Sequence, residues 1–252
     1  MNYGTMIFAR REIARYMAVW GQTVVPPLVT AALILFVFGH ALGNRIGVFD
    51  GVPYLAYIAP GLIIQGAIVN AYNNNASSLF DSRRARYIED VLTSPLTDAR
   101  IVLAYVLSGT SRGAIIGVLT LVVALPVTDG WNVNLPLFVA VLLLACIVFA
   151  LLGVLAGLRA TRWDHIFVPI TFILTPLTFL GGMFYPVSEL SPRLEAASRF
   201  NPILYLVDAQ RQSLLGIGEF ALWPLIGGIA VAAGGLWWGT VRAFSTSRKL
   251  RG

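Results

Sequence analysis

The chain has 252 residues, 57% of them hydrophobic and only 12% charged, against ~25% charged in an ordinary soluble domain. That deficit points to solvation by lipid, and no polar stretch is long enough to build a separate soluble core. The net charge of +6 would suit nucleic acid, but the arginines gather at the ends of apolar runs, which is the pattern of membrane orientation.

Residues 5–20 read as an amphipathic helix. Met6, Ile13, Met17 and Trp20 share one face and Arg11 and Arg15 lie opposite, so the helix is expected in the headgroup plane with Tyr16 and Trp20 at the interface. No apolar stretch precedes position 23, so the first run is expected to be a retained span, not a cleaved signal.

Six apolar runs follow, at about 23–42, 54–78, 101–126, 135–158, 164–185 and 222–244. Each is near the ~20 residues that a helix needs to cross a bilayer. The expectation is an all-α membrane protein in which residues 1–252 form a single six-span domain. Thirteen of the eighteen Lys and Arg residues fall on inner segments if both termini are cytoplasmic, four fall outside, and Arg112 lies within a span. The positive-inside rule selects that orientation.

The second run ends in Asn73, Asn74, Asn75, Ser77 and Ser78, an end expected to be solvated. Gly66, Asn70, Asn73 and Ser77 share one helical face, as do Thr171, Thr175 and Thr178 in the fifth run. Such stripes face a wet path or serve as packing contacts between helices. Arg112 stands about twelve residues into the third run, near the bilayer centre by count, where an arginine costs roughly 2.5–3.5 kcal/mol on insertion scales. With no acidic residue obvious inside a span, carbonyls or Asn side chains are its expected partners. Handling an anionic headgroup is the second reading.

The inner loop FDSRRARYIEDVLTSPLTDAR suits a short helix from Arg83 to Leu92 that Pro95 would end. Arg86 and Asp90 form an i,i+4 pair, and Ile88, Val91 and Leu92 form an apolar edge. That edge either docks a partner or folds back on the helix ends. Thr97 and Asp98 are N-cap and first-turn residues for the third span.

Beyond the fifth run, Gly181, Gly182 and Pro186 end a helix. Ser191-Pro192 and Asn201-Pro202 each start one, the second running to about Gly216. It is too short to cross, so it either forms a re-entrant outer hairpin between spans five and six or caps the bundle.

The chemistry is bounded next. The sole lysine, Lys249, is followed by Leu250 and preceded by no Gly-rich loop, so any ATP is bound by another polypeptide. Lone Cys146 forms no intrachain disulfide or Cys-based metal site. His40 and His165 lie near opposite faces, and no metal is expected. An intramembrane transferase would need clustered carboxylates, yet the one adjacent acidic pair is Glu89-Asp90. An ion-coupled carrier would show internal repeats and mid-membrane breaks. Pro169 and Pro176 could supply breaks, but no repeat is evident.

The order and spacing of GQTVVPP, PGLI, IEDVLTSPL, LTPLTFLGGMFYPVSELSP and FNPILY resemble the ABC type-2 permeases, especially small bacterial inner-membrane exporter permeases. The resemblance implies two permease copies, a homodimer, with two separate ATPase subunits that hold ATP and Mg, leaving this chain without cofactor or catalytic residue. It makes 5–20 the connecting helix and Arg83–Leu92 the coupling helix, with Arg83, Arg86, Tyr87, Glu89 and Asp90 against the ATPase. It draws a transport path from spans two and five, hence Asn70, Asn73, Thr171, Thr175 and Thr178. The implied function is outward movement of an amphipathic or lipid-like substrate across the cell membrane. Drug, phospholipid, lipid-linked glycan and siderophore all suit it.

Overall fold

A computed structural model describes residues 3–41, 48–49, 51–85, 95–127 and 129–249. In chain order these form α1 (Tyr3–Met17), α2 (Trp20–Thr23), α3 (Val25–Ala41), a ribbon of β1 (Val48–Phe49) and β2 (Val52–Pro53), then α4 (Tyr54–Arg84), α5 (Asp98–Ala124) and α6 (Leu135–Arg159). The fifth span, α7, covers Asp164–Met183. It is followed by α8 (Pro192–Arg199), α9 (Pro202–Leu215) and α10 (Leu222–Lys249). Six helices are long and apolar enough to cross a membrane: Trp20–Gly39, Tyr54–Arg84, Asp98–Ala124, Leu135–Arg159, Asp164–Met183 and Leu222–Ser247. The two-residue ribbon, antiparallel with Val48 opposite Pro53, had no signal in the sequence.

The bundle is built around α4, which packs along both α5 and α6. Close approach is possible because α5 carries Gly109, Gly113 and Gly117 at every fourth position and α6 carries Gly153 and Gly157. A Cβ at Gly113 would stand 2.6 Å from the Ala67 carbonyl oxygen, and one at Gly157 2.9 Å from that of Ala76. Small residues at this spacing let helix backbones touch where lipid offers no hydrophobic drive to associate. By contrast α3 and α10 are peripheral, with Val29, Leu33, Trp223 and Val231 exposed.

One end of α4 corrects an expectation. Asn74 and Asn75 are fully buried and Ser78 nearly so, so this end is not solvated. It continues as helix to Arg84 because its polar side chains bond to α1, α5 and α6.

The helix α1 leans on α5, where Phe8 meets Tyr105 edge-on at 5.1 Å and Tyr16 hydrogen-bonds Ser111 at 3.0 Å. Its buried face is Thr5, Phe8, Glu12 and Tyr16, while Met6, Met17 and Trp20 stay exposed on an adjacent face. Thr97 and Ser191 do stand at the N-caps of α5 and α8, but neither hydroxyl makes a capping bond. Asp98 accepts instead from Ser245 at 2.8 Å, tying α10 to α5.

The fifth span is not a continuous α-helix. Ile170–Leu174 and Phe179–Met183 are π-helical turns, and Gly182 takes a left-handed φ of 71°. Pro169 and Pro176 lack the amide that an α-turn requires, and a widened turn accommodates them. Carbonyls at and before the Gly181–Gly182 break are taken by the hairpin. Asn201 donates to Leu177 O, and Arg211 donates to Gly182 O at 2.6 Å. Asn201 also caps α9 by accepting from Ile203 N at 3.0 Å, and Gly216, at φ 75°, closes that helix.

Candidate functional site

Polar side chains on α4 organise the centre of the molecule. Asn70 donates to the Gly66 carbonyl at 2.9 Å and accepts from Arg112 Nη2 at 3.0 Å. The same guanidinium nitrogen lies 3.5 Å from the Thr23 carbonyl. Arg112 is therefore level with the first turn of the first span.

One helical turn further along α4 lies a second cluster, centred on Glu12 of α1. Its carboxylate is buried, at 2% residue exposure. It accepts from Arg15 Nε at 3.2 Å, from Arg11 at 3.3 Å and from the Ser78 hydroxyl. Arg15 also donates to both the carbonyl and the side-chain oxygen of Asn74 at 3.2 Å. Asn74 in turn donates to Ser108 at 3.0 Å, and Asn75 to the Ala150 carbonyl at 3.0 Å. One chain of bonds thus joins α1, α4, α5 and α6. A lone buried carboxylate needs such partners, since its desolvation otherwise costs several kcal/mol. Sequence reasoning missed Glu12. The available signal was an acid among Arg10, Arg11 and Arg15, in helical register with Phe8 and Tyr16.

Two cavities flank these clusters. One of about 350 Å³ adjoins Glu12, Arg15 and Ser78. The other, of about 390 Å³, lies between α3, α4, α5 and α7 and is walled by Thr30, Gln65, Asn70, Thr120 and Thr175. The residues singled out for a path are therefore placed unevenly. Asn70 and Thr175 meet at this cavity. Asn73 is half-buried, with a side-chain oxygen that has no partner among the described residues. Thr171 is exposed, whereas Thr178 is fully buried and bonded to its own Leu174 carbonyl at 2.8 Å.

Of the residues singled out for docking, Arg86, Tyr87, Glu89 and Asp90 lie outside the described residues. Arg83 closes the end of α6, donating to the carbonyls of Gly157 at 3.1 Å and Ala160 at 3.2 Å. That is the favoured placement of a cation at a helix C-terminus. Among the described residues no group of three or more His, Cys, Asp or Glu could hold a metal.

At the hairpin end, Asp208 accepts from the amides of Glu219 at 2.8 Å and Phe220 at 3.2 Å. Arg211 stacks on the Tyr57 ring at 3.9 Å. Both charged residues are almost wholly buried. Their position explains the sharp return of the chain from α9 to α10.

Residues 3–215 match the family model of the ABC-2 type transporters. The chain is 40% identical over 222 residues to the inner membrane transport permease YadH of Escherichia coli K12, covering 88% of this chain and 86% of that protein. It is 28% identical over 182 residues to nodulation protein J of Sinorhizobium fredii, covering 72% of this chain and 70% of that protein. It is 26% identical over 208 residues to nodulation protein J of Rhizobium meliloti, covering 82% and 79%. With six membrane-length helices and this match over most of its length, the chain is a multi-pass inner membrane protein that belongs to the ABC-2 type transporter family.

Proposed function

We propose that this chain is the permease subunit of an ATP-binding cassette exporter, moving an amphipathic or lipid-like substrate outward. The observation that carries the reading is its 40% identity to a named inner membrane transport permease. Permeases of this family work with an ATPase subunit, and here that subunit would bind ATP and Mg. Two copies of this chain and two ATPases form the working assembly. Both termini face the cytoplasm, in line with the arginine bias, and residues 1–252 act as one membrane domain. The α8–α9 hairpin is re-entrant in the outer leaflet, since α9, with 14 residues, spans only ~21 Å. The exposed Met6 and Met17 of α1, with Trp20 at the start of α2, rest at the inner headgroups.

In this reading the inner loop couples to the ATPase through Arg86, Tyr87, Glu89 and Asp90, with Arg83 anchoring the loop to α6. Asn70, Asn73, Thr171 and Thr175 border the path, and Thr178 holds the break in α7. Arg112 positions Asn70 at the cavity wall. Hydrolysis in the ATPases would rock the two copies and open the path alternately to either side.

Extrusion of fluorescent amphiphiles and labelled lipids by inverted vesicles containing this chain and its ATPase tests the proposal. Transport is expected only with both subunits and ATP. Full-rate transport in liposomes that lack a nucleotide hydrolase would overturn it. Tyr87→Ala and Glu89→Ala are expected to weaken co-purification with the ATPase while membrane insertion is unchanged.

A further inference from the structure

A third cavity, of about 500 Å³, opens beside the end of α4 and is lined by Phe80, Arg83, Arg84, Thr161, Arg162 and Trp163. Its size lies within the ~300–1,000 Å³ of small-ligand sites. Arg83 is already engaged with the end of α6. Arg84 and Arg162 are exposed, and among the described residues neither makes a hydrogen bond or an ion pair. The carboxylate next in sequence, Asp81, feels the charge of Arg84 but lines the separate cavity beside Glu12 and Arg15. Asp164 is exposed in the first turn of α7. Three guanidinium groups thus converge on one opening, and the described residues of its lining include no carboxylate.

The wall of the cavity changes character step by step. Trp163 packs edge-on against Phe80 at 4.9 Å and stacks on Phe167 at 5.9 Å, with the planes 18° apart. Beyond it Phe167, Val168 and Phe172 are exposed on α7. A cationic mouth, an aromatic step and an apolar ridge follow one another within ten residues. Tryptophan settles at the headgroup level of a bilayer, and basic pockets between spans hold anionic headgroups.

We propose that this cavity binds the phosphate of an anionic phospholipid, with Arg84 and Arg162 as its ligands and an acyl chain along the Phe167 side of α7. An acidic protein segment would use the arginines but would have no use for the aromatic step and the apolar ridge. The assignment does not depend on which way the chain is oriented, since both leaflets offer headgroups at this level.

Native mass spectrometry of the full chain, taken from nanodiscs of mixed phosphatidylglycerol and phosphatidylcholine, tests the site. Wild type is expected to retain phosphatidylglycerol preferentially. The double variant Arg84→Gln/Arg162→Gln is expected to lose that retention by about 30-fold, the contribution of two arginines near a membrane surface. Arg84→Lys/Arg162→Lys should keep most of it. Arg100→Gln, an exposed arginine outside the cavity, should match wild type. Inorganic phosphate and glycerol phosphate at millimolar concentration should displace none of the bound lipid. Equal retention of the two lipids, or displacement by free phosphate, would overturn the proposal. So would undiminished phosphatidylglycerol in the Gln variant, including the case in which that variant instead loses the ATPase.

Discussion

At the hairpin end, Asn201 and Arg211 donate to main-chain carbonyls of α7, whereas in the cluster around Glu12 the side chains of Glu12, Arg15, Asn74 and Ser78 bond largely to one another. A carbonyl in a helix cannot move without unwinding its turn. Side chains can exchange partners by changing rotamer, with the helix backbone left intact. The cluster around Glu12 also borders a cavity that leaves room for such exchange. The hairpin contacts hold the break in α7, whereas the bonds around Glu12 join side chains that can re-pair without unwinding a helix.

The largest expected effect tests the rigid end. Arg211→Ala removes the donor to Gly182, the cation over Tyr57 and the ion partner, at 4.0 Å, of Asp208, which is at 1% exposure. Breaking a buried charged pair costs about 3–5 kcal/mol, so thermal unfolding in detergent should show a clearly lowered Tm. An unchanged Tm would break the claim that this end is locked.

Glu12→Ala probes the adaptable end. It leaves Arg15 and Ser78 short of an acceptor, a loss of about 1–3 kcal/mol. Hydrogen exchange should accelerate over residues 3–17 and stay slow over α9. Equal acceleration at both ends would erase the comparison.

The pair Arg112→Met with Asn70→Leu replaces a buried hydrogen-bonded pair by apolar groups. Such replacements are close to neutral in stability, within about 1 kcal/mol at the mild end of the known range. ATP-driven extrusion should nevertheless fall several-fold, and retained transport would remove Asn70 from the path. The smallest effect is that of Gln210→Leu. Gln210 is fully buried and neither amide atom has a partner among the described residues. Removing an unsatisfied amide should leave stability unchanged or raise it by up to about 1 kcal/mol, measured again as Tm.

Much of this was legible before the fold. The six spans follow from apolar run length, which is a local property, and the breaks in α7 follow from Pro169, Pro176 and Gly182. The start signals at Asn201-Pro202 and the stop at Gly216 are likewise local. The buried polar groups were not legible in the same way. Asn74, Asn75 and Ser78 look solvated in a linear reading because polarity is visible there and partners are not. Glu12 looks like one charge in a basic helix until Ser78, distant in sequence, arrives beside it. Gly109, Gly113 and Gly117 show their purpose once α4 lies against them.

By itself, then, the sequence determined how many helices cross, roughly where they begin and end, and which end carries the positive charge. Those depend on hydrophobicity, proline and arginine position, each of which acts over a single turn or a single span. Only the tertiary structure decided that α4 is the axis, that Arg83 closes α6 while Arg112 meets Asn70, and that Arg84 and Arg162 share an opening. Those are pairings between residues far apart in sequence, 77 positions for Arg83 and Ala160, and a pairing has no energy until the helices that carry it have packed.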